Sequence, residues 1–436
     1  MTPTLLSLLL LSAPGTGDLV AIRVKRAETV AQGPIEHALI LVEDGKIIEI
    51  GEDLPLERGI PVIERPDWVA TPGFIDCHTR VGAERVVASR TFDPQAVPEL
   101  DIDPTADAWA EVLELGVTTL GFYPEGSGIP GQAIALRPRG DTLAEMRVAQ
   151  PAYLKINLQA SASSKNMLRE AFKKADEYEE KVAKEREKWE KEQEKKKPKA
   201  KAGAKKEEEP KPEEKKEEEK KEGGGTAVQQ EGEKKADEKA ADAFVPSPPD
   251  ERVRPFLDLR AKKLTAMMAL RKAADYLHLL DVIEDEKELQ WFVFFPLQDD
   301  IDFYEVAPKM GEKKLLVVTQ PDTTLQPNSI RERNIPAELA RAGAKLAFVP
   351  RQDSLSGLEE WRTDVGRLIG QGLARDAALA GLTLEGARAL GLQETLGSLE
   401  KDKVANIVFW SDDPFEPAAR VQAVMLEGEF VYGEVK

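Results

Sequence analysis

An α/β fold with an added all-β part is what the sequence predicts, and three patterns predict it. First, short apolar runs alternate with helix-period stretches through the middle of the chain, the signature of parallel strands joined by helices. Second, both chain ends carry strand-like segments with hairpin signals, as if one β unit were built from the two ends. Third, 436 residues with 41% hydrophobic content exceed one ordinary core and suit a large domain with a smaller companion. Together they predict a (β/α)8 TIM-type barrel plus a small β-sandwich domain made from both ends.

Taken in order, Leu5–Leu11 is a short apolar run followed by the small residues Ser12–Gly17. It is too short for a bilayer span and fits the apolar core of an export signal over 1–17, although Met1–Thr4 lacks Lys and Arg. An exported, periplasmic or secreted protein is the expectation. From Asp18 to Ala70 the runs Leu19–Val24, Ala38–Val42 and Lys46–Ile50 read as strands. Asp44-Gly45 supplies a hairpin turn between the last two. The other end matches: Ala405–Trp410, Val421–Leu426, a Glu427-Gly428 turn, and Glu429–Tyr432. The β part is thus expected over 18–70 and 398–436, with the barrel over 71–397.

Within the barrel region, Gly116–Leu120, Trp291–Phe295, Lys314–Val318 and Lys345–Val349 read as strands. Ala106–Leu115, Leu257–Leu280 and Leu358–Ala374 have helical spacing. A charged insertion, expected to be disordered, interrupts the pattern over about 177–250. Lys173–Glu194 can extend a helix on i,i+4 pairs, whereas Lys195–Ala240 has too few apolar residues to offset its ordering entropy.

Charge narrows the partners. The chain carries −18, and Lys181–Glu222, with 17 basic and 14 acidic residues, carries +3, so the remainder carries −21. So acidic a body argues against nucleic acid or an anionic membrane as partner. No other run reaches membrane-spanning length. Cys77 is the only cysteine, which excludes an internal disulfide and a Cys-type zinc site.

The stretch Ala70-Thr-Pro-Gly-Phe-Ile-Asp-Cys-His-Thr-Arg80 resembles the end of the first barrel strand in the amidohydrolase superfamily. There a Pro-Gly-aliphatic-Ile-Asp segment leads into His-x-His. Gly116–Thr119 and the Gly-rich Gly126–Ala133 are similar to the second strand and following loop of the imidazolonepropionase-like branch, and Leu168–Tyr178 to one of its helices. Ala387–Leu392, Gly397–Leu399, Lys403–Asn406 and Asp412–Pro414 resemble the superfamily's closing pattern. The resemblance implies a barrel holding one or two divalent metals through His-x-His, two later His and an Asp on the last strand. The metal would activate water to attack a C–N bond while the Asp moves protons.

The residues present depart from that set. Only three His exist. His37 precedes the barrel and His278 lies in a helix-period segment, which leaves His78 as the metal-ligand candidate. Its partner position holds Arg80, a permanent cation that opposes a dication. Asp353 is the candidate catalytic Asp, although strict register puts Pro350 or Arg351 there. Lys155 resembles the bridging lysine of other branches, but is read here as an ordinary strand-end lysine.

Three functional readings follow. The leading one is a pseudoenzyme without a metal cofactor, retained for binding or scaffolding, with an amidohydrolase relative or a second copy as partner. The second is a C–N hydrolase with a reduced zinc site of His78, Asp353 and Asp76. The third is a binder in which Arg80 and Arg351 clamp a small anionic molecule.

Overall fold

The computed structural model describes residues 19–52, 54–56, 58–83, 90–196, 244–297 and 301–433. The expected export signal and residues 197–243 of the expected insertion lie outside the described residues. The chain divides into two compact units: Met1–Ala171 with Glu251–Lys436, and Phe172–Asp250. The β part and the parallel strands fall in the same unit.

The two chain ends form an eight-stranded sheet. Its path runs Glu429–Tyr432, Val421–Leu426, Ile407–Trp410, Val62–Pro72, Val20–Glu28, Leu39–Glu43 and Lys46–Gly51, with Pro34–Glu36 paired on Val20–Glu28. It is one connected sheet, not the pair of facing sheets of the expected sandwich. The reason is Val62–Pro72, which pairs in parallel with Val20–Glu28 and antiparallel with Ile407–Trp410, stitching the halves together. Ile22, Val24, Ile40 and Ile47 from one end share a core with Ile407, Phe409 and Met425 from the other. At the expected turns, Asp44-Gly45 (φ +49°, +76°) and Glu427-Gly428 (φ +51°, +84°) have both central residues left-handed. That backbone twist matches the strands it joins.

Seven parallel strands follow among the described residues, in two sheets. Phe74–Thr79 pairs with Val117–Phe122, and Tyr153–Asn157, Thr265–Ala269, Trp291–Phe295, Leu316–Thr319 and Lys345–Phe348 pair in succession. The edges that would join the two sheets are taken by antiparallel strands, Ile134–Leu136 on Val117–Phe122 and Gly131–Gln132 on Tyr153–Asn157. Even so, one apolar cluster draws Ile75, Tyr153, Met267, Phe292, Val318 and Ala347 from six of the strands.

Leu257–Leu280 is not one helix. Helix Arg254–Arg260 ends, strand Thr265–Ala269 follows, and helix Ala273–Val282 comes after. Ala-Met-Met-Ala has good helix propensity, but a parallel partner on each side holds it extended, and buried parallel strands show no alternation by which to recognise them. The helix Ala162–Lys196 contains the expected Lys173–Glu194 stretch, so 177–196 of the insertion is helical. In the second unit its surface carries i,i+4 pairs such as Lys181–Glu185 and Arg186–Glu190. Ser247 donates from its backbone and hydroxyl to Glu185, and its carbonyl accepts from Tyr178. No described helix is long and apolar enough to cross a membrane.

Pro72-Gly73 is where the composite sheet hands over to the first parallel strand. Gly73 N–H donates to Asn406 across the two chain ends, and a Cβ here would lie 2.1 Å from Oγ1 of buried Thr118. Gly73→Ala is therefore expected to cost roughly 1–3 kcal/mol by overpacking. Thr118→Ala, which removes the two nearest of the three clashing atoms, should make the cost of Gly73→Ala smaller than it is beside Thr118. Urea midpoints measure this, and an unchanged midpoint in Gly73→Ala would refute the close approach.

Candidate functional site

Strand Phe74–Thr79 brings Asp76 and His78 to its C-terminal end, and period-two geometry puts them on one face. His78 is buried, with Nδ1 2.7 Å from the hydroxyl of Tyr153, which also donates to the Cys77 carbonyl at 3.3 Å. Its ring stacks on Tyr123 at 3.8 Å between centroids and meets Phe294 at 4.5 Å. Burial, with the Lys155 ammonium nearby, holds the imidazole pKa well below its ordinary value, so the ring is neutral.

Asp353 reaches this cluster. One of its oxygens accepts from the Thr79 hydroxyl at 2.8 Å and the Arg80 N–H at 2.7 Å, and the other from the Tyr123 hydroxyl at 3.0 Å. The chain leaves its last parallel strand at Phe348, and the turn that follows brings Asp353 back over Thr79, which strand register alone does not foresee. Asp76 lies fully buried beneath. Its Oδ1 accepts from the His78 N–H at 3.3 Å, and its Oδ2 has no hydrogen-bond partner. Burial first, and then the Asp353 charge, push its carboxyl up to about 8, so it is protonated at neutral pH.

Arg80 does not project into an open mouth. Its guanidinium donates to the Tyr123 carbonyl at 2.9 Å and to Asp101 at 3.1 Å, lies 4.0 Å from Glu125, and sits over the Phe122 ring. Arg351 is paired elsewhere, with Asp322 at 2.9 Å. Each member of the expected clamp is held by a separate protein carboxylate. His278 lies on helix Ala273–Val282 with Nδ1 3.4 Å from Lys165, and His37 sits exposed just after strand Pro34–Glu36. Lys155 is more than an ordinary strand-end lysine. It is buried, with its ammonium 3.9 Å from the centre of the Tyr123 ring and 3.4 Å from the Pro124 carbonyl, and burial together with Arg80 lowers it to about 8.

Sequence reasoning missed Tyr123, Tyr153, Asp101 and Phe294. A signal existed for one: Tyr153, Lys155 and Asn157 alternate on strand Tyr153–Asn157, and all three side chains engage the cluster or its Gly-rich loop. Beside the cluster lies a cavity of about 590 Å³, lined by Glu125, Asn157, Ser163, Met167, Arg271 and Phe294 among others. The Arg271 side chain is exposed there and makes no ion pair among the described residues.

Residues 350–431, which include Asp353, match the amidohydrolase family. An amidohydrolase crystal structure from Thermotoga maritima superposes over 95% of this chain and 100% of its own, with a TM-score of 0.68 at 19% identity. The fold is that of an amidohydrolase. A prolidase complexed with N-methylphosphonate-L-proline (TM-score 0.51, 15% identity) and a Xaa-Pro dipeptidase with methionine in its active site (0.52, 14%) also share it. Each is covered in full, over 95% of this chain. No curated protein matches the sequence.

The amidohydrolase fold implies a divalent metal at this end of the strands, and the residues present do not fit one. His78 is engaged through Nδ1 and covered by an aromatic ring, a guanidinium follows where a second imidazole belongs, and three donors claim Asp353. What is left over is the second ring nitrogen of His78 and Asp76 Oδ2, the latter on a neutral carboxyl, too few donors for a metal centre. Among the described residues no group of three or more His, Cys, Asp and Glu is placed to hold a metal ion.

Proposed function

We propose that this protein is a binding protein on an amidohydrolase fold that does not carry out metal-dependent hydrolysis. In this reading the parallel strands are the family's barrel, the composite sheet is its small β-domain, and the barrel mouth holds a ligand rather than a metal-bound water. The observation that carries the proposal is the closed network His78–Tyr153, His78–Tyr123 and Asp353–Tyr123, with Arg80 locked to Asp101. Those contacts take up one ring nitrogen of His78 and both oxygens of Asp353, and leave too few donors for a dication. A ligand has room next to it, in the 590 Å³ cavity, within the usual size of small-molecule sites. Hydroxyl and amide side chains there suit a small polar molecule. Arg271 is the cation that suits an acid group on it, in place of the Arg80–Arg351 clamp.

Elemental analysis tests the proposal directly. Protein purified without chelator, then incubated with zinc and desalted, is expected to retain well under one equivalent and to show no zinc-induced rise in melting temperature. One tightly held zinc per chain, lost in His78→Ala, would overturn it and favour the reduced-site hydrolase of His78, Asp76 and Asp353.

A further inference from the structure

A second cavity, of about 780 Å³, opens at the other end of the parallel strands. Its walls are the N-terminal starts of four consecutive strands, at Ala152, Thr265, Trp291 and Leu316, closed by Leu390–Gln393 after helix Leu384–Ala389. In this architecture the chemistry sits at the opposite, C-terminal ends, so this cavity belongs to no part of the site above.

Its lining has two faces. The floor is apolar, with Phe292, Leu316 and Leu390 buried and Trp291 half-buried beside them. The rim is cationic: Lys262, Lys263, Lys313 and Arg388 line it, and no Asp or Glu does. That is against the trend of a chain carrying −18. Lys262 reaches Glu288 and Arg388 reaches Glu385 outside the cavity. Lys263 and Lys313 make no ion pair among the described residues. Gln393 adds a buried Oε1 with no hydrogen-bond partner, an acceptor for a hydroxyl or N–H. Two free ammoniums over an aromatic floor attract a negative head group and shelter an apolar body, the pairing of a few placed polar groups with a mostly apolar wall that marks small-molecule sites.

We propose that this cavity is a second binding site, specific for a small anion with a flat apolar body, an aromatic carboxylate or sulfonate. The acid group lies between Lys263 and Lys313, and the ring lies on Trp291 and Phe292. Bound there, such a molecule would touch the starts of the two strands that carry Lys155 and Phe294 into the mouth cluster.

The test uses the full chain and 8-anilinonaphthalene-1-sulfonate as the probe. Saturable binding of one probe per chain is expected, with fluorescence transfer from tryptophan that falls in Trp291→Phe. Naphthalene-1-carboxylate should displace the probe, and naphthalene-1-methylamine should not. Lys263→Glu with Lys313→Glu, both at exposed positions where folding should be unaffected, should weaken binding by at least about tenfold. Arg271→Ala, at the mouth cavity, should leave it unchanged. Lys263→Gln with Lys313→Gln serves as the milder variant and should weaken it in the same direction. Binding untouched by either lysine pair, displaced equally by the amine, or lost in Arg271→Ala would overturn the proposal.

Discussion

Arg80→Met is expected to destabilise the protein by about 3–5 kcal/mol, the cost of removing one partner from a buried ion pair. The guanidinium is 11% exposed and its partner Asp101 6%, so the substitution strands a largely buried carboxylate. Methionine fills most of the vacated volume, so the loss is electrostatic more than steric. Contacts to the Tyr123 carbonyl, the Phe122 ring and Glu125 go with it. The double variant Arg80→Met with Asp101→Asn should be less destabilised than the single one, because the buried charge leaves with its partner. Urea unfolding at neutral pH gives both numbers. An Arg80→Met midpoint equal to wild type would mean that the guanidinium is not a structural counter-ion, and would restore it as a candidate for an external anion.

The second large effect concerns Asp76 and depends on pH. Its carboxyl is protonated in the folded chain up to about pH 8 but ionises in the unfolded chain near pH 4. Between those values the native state holds the extra proton, so stability is greatest below the lower pKa and is lost as pH rises through the upper one. At about 1.4 kcal/mol per unit, ionising Asp76 in place costs on the order of 5 kcal/mol. Asp76→Asn keeps the shape and removes the titration. The two proteins should be closest in stability near pH 4, and the asparagine variant should be the more stable by a few kcal/mol near pH 9. Lys155, lowered to about 8, acts in the opposite sense, relieving a penalty as pH rises above 8, but it does so equally in both proteins and drops out of the difference. Parallel stability-versus-pH curves for the two proteins would show that Asp76 is ionised in the native fold. That would return it to the set of possible cation ligands.

These effects rest on features of unequal visibility in the amino-acid order. The composite sheet was legible because its signals are local: alternating β-branched runs and two turns whose residues tolerate left-handed backbone, Asp44-Gly45 and Glu427-Gly428. The scarcity of imidazoles was legible too, since three histidines cannot supply four. The strand Thr265–Ala269 was not. Its Ala-Met-Met-Ala core favours a helix, and only partners more than twenty residues away in either direction hold it extended.

The site divides along the same line. By itself the sequence determined that a histidine and an arginine stand two apart at a strand end, and that only two other histidines exist. Tertiary structure alone decided what those two side chains do: Arg80 turns to Asp101, His78 packs between Tyr123, Tyr153 and Phe294, and Asp353 closes over Thr79 from 274 positions away. The cationic cavity at the strand starts is of the same kind, with Lys263 and Lys313 brought to one cavity by strands on either side of Trp291–Phe295. The physical reason is range. Turn chemistry and side-chain period act over a few bonds, whereas charge pairing and ring stacking act through space, between residues whose proximity the packed fold creates.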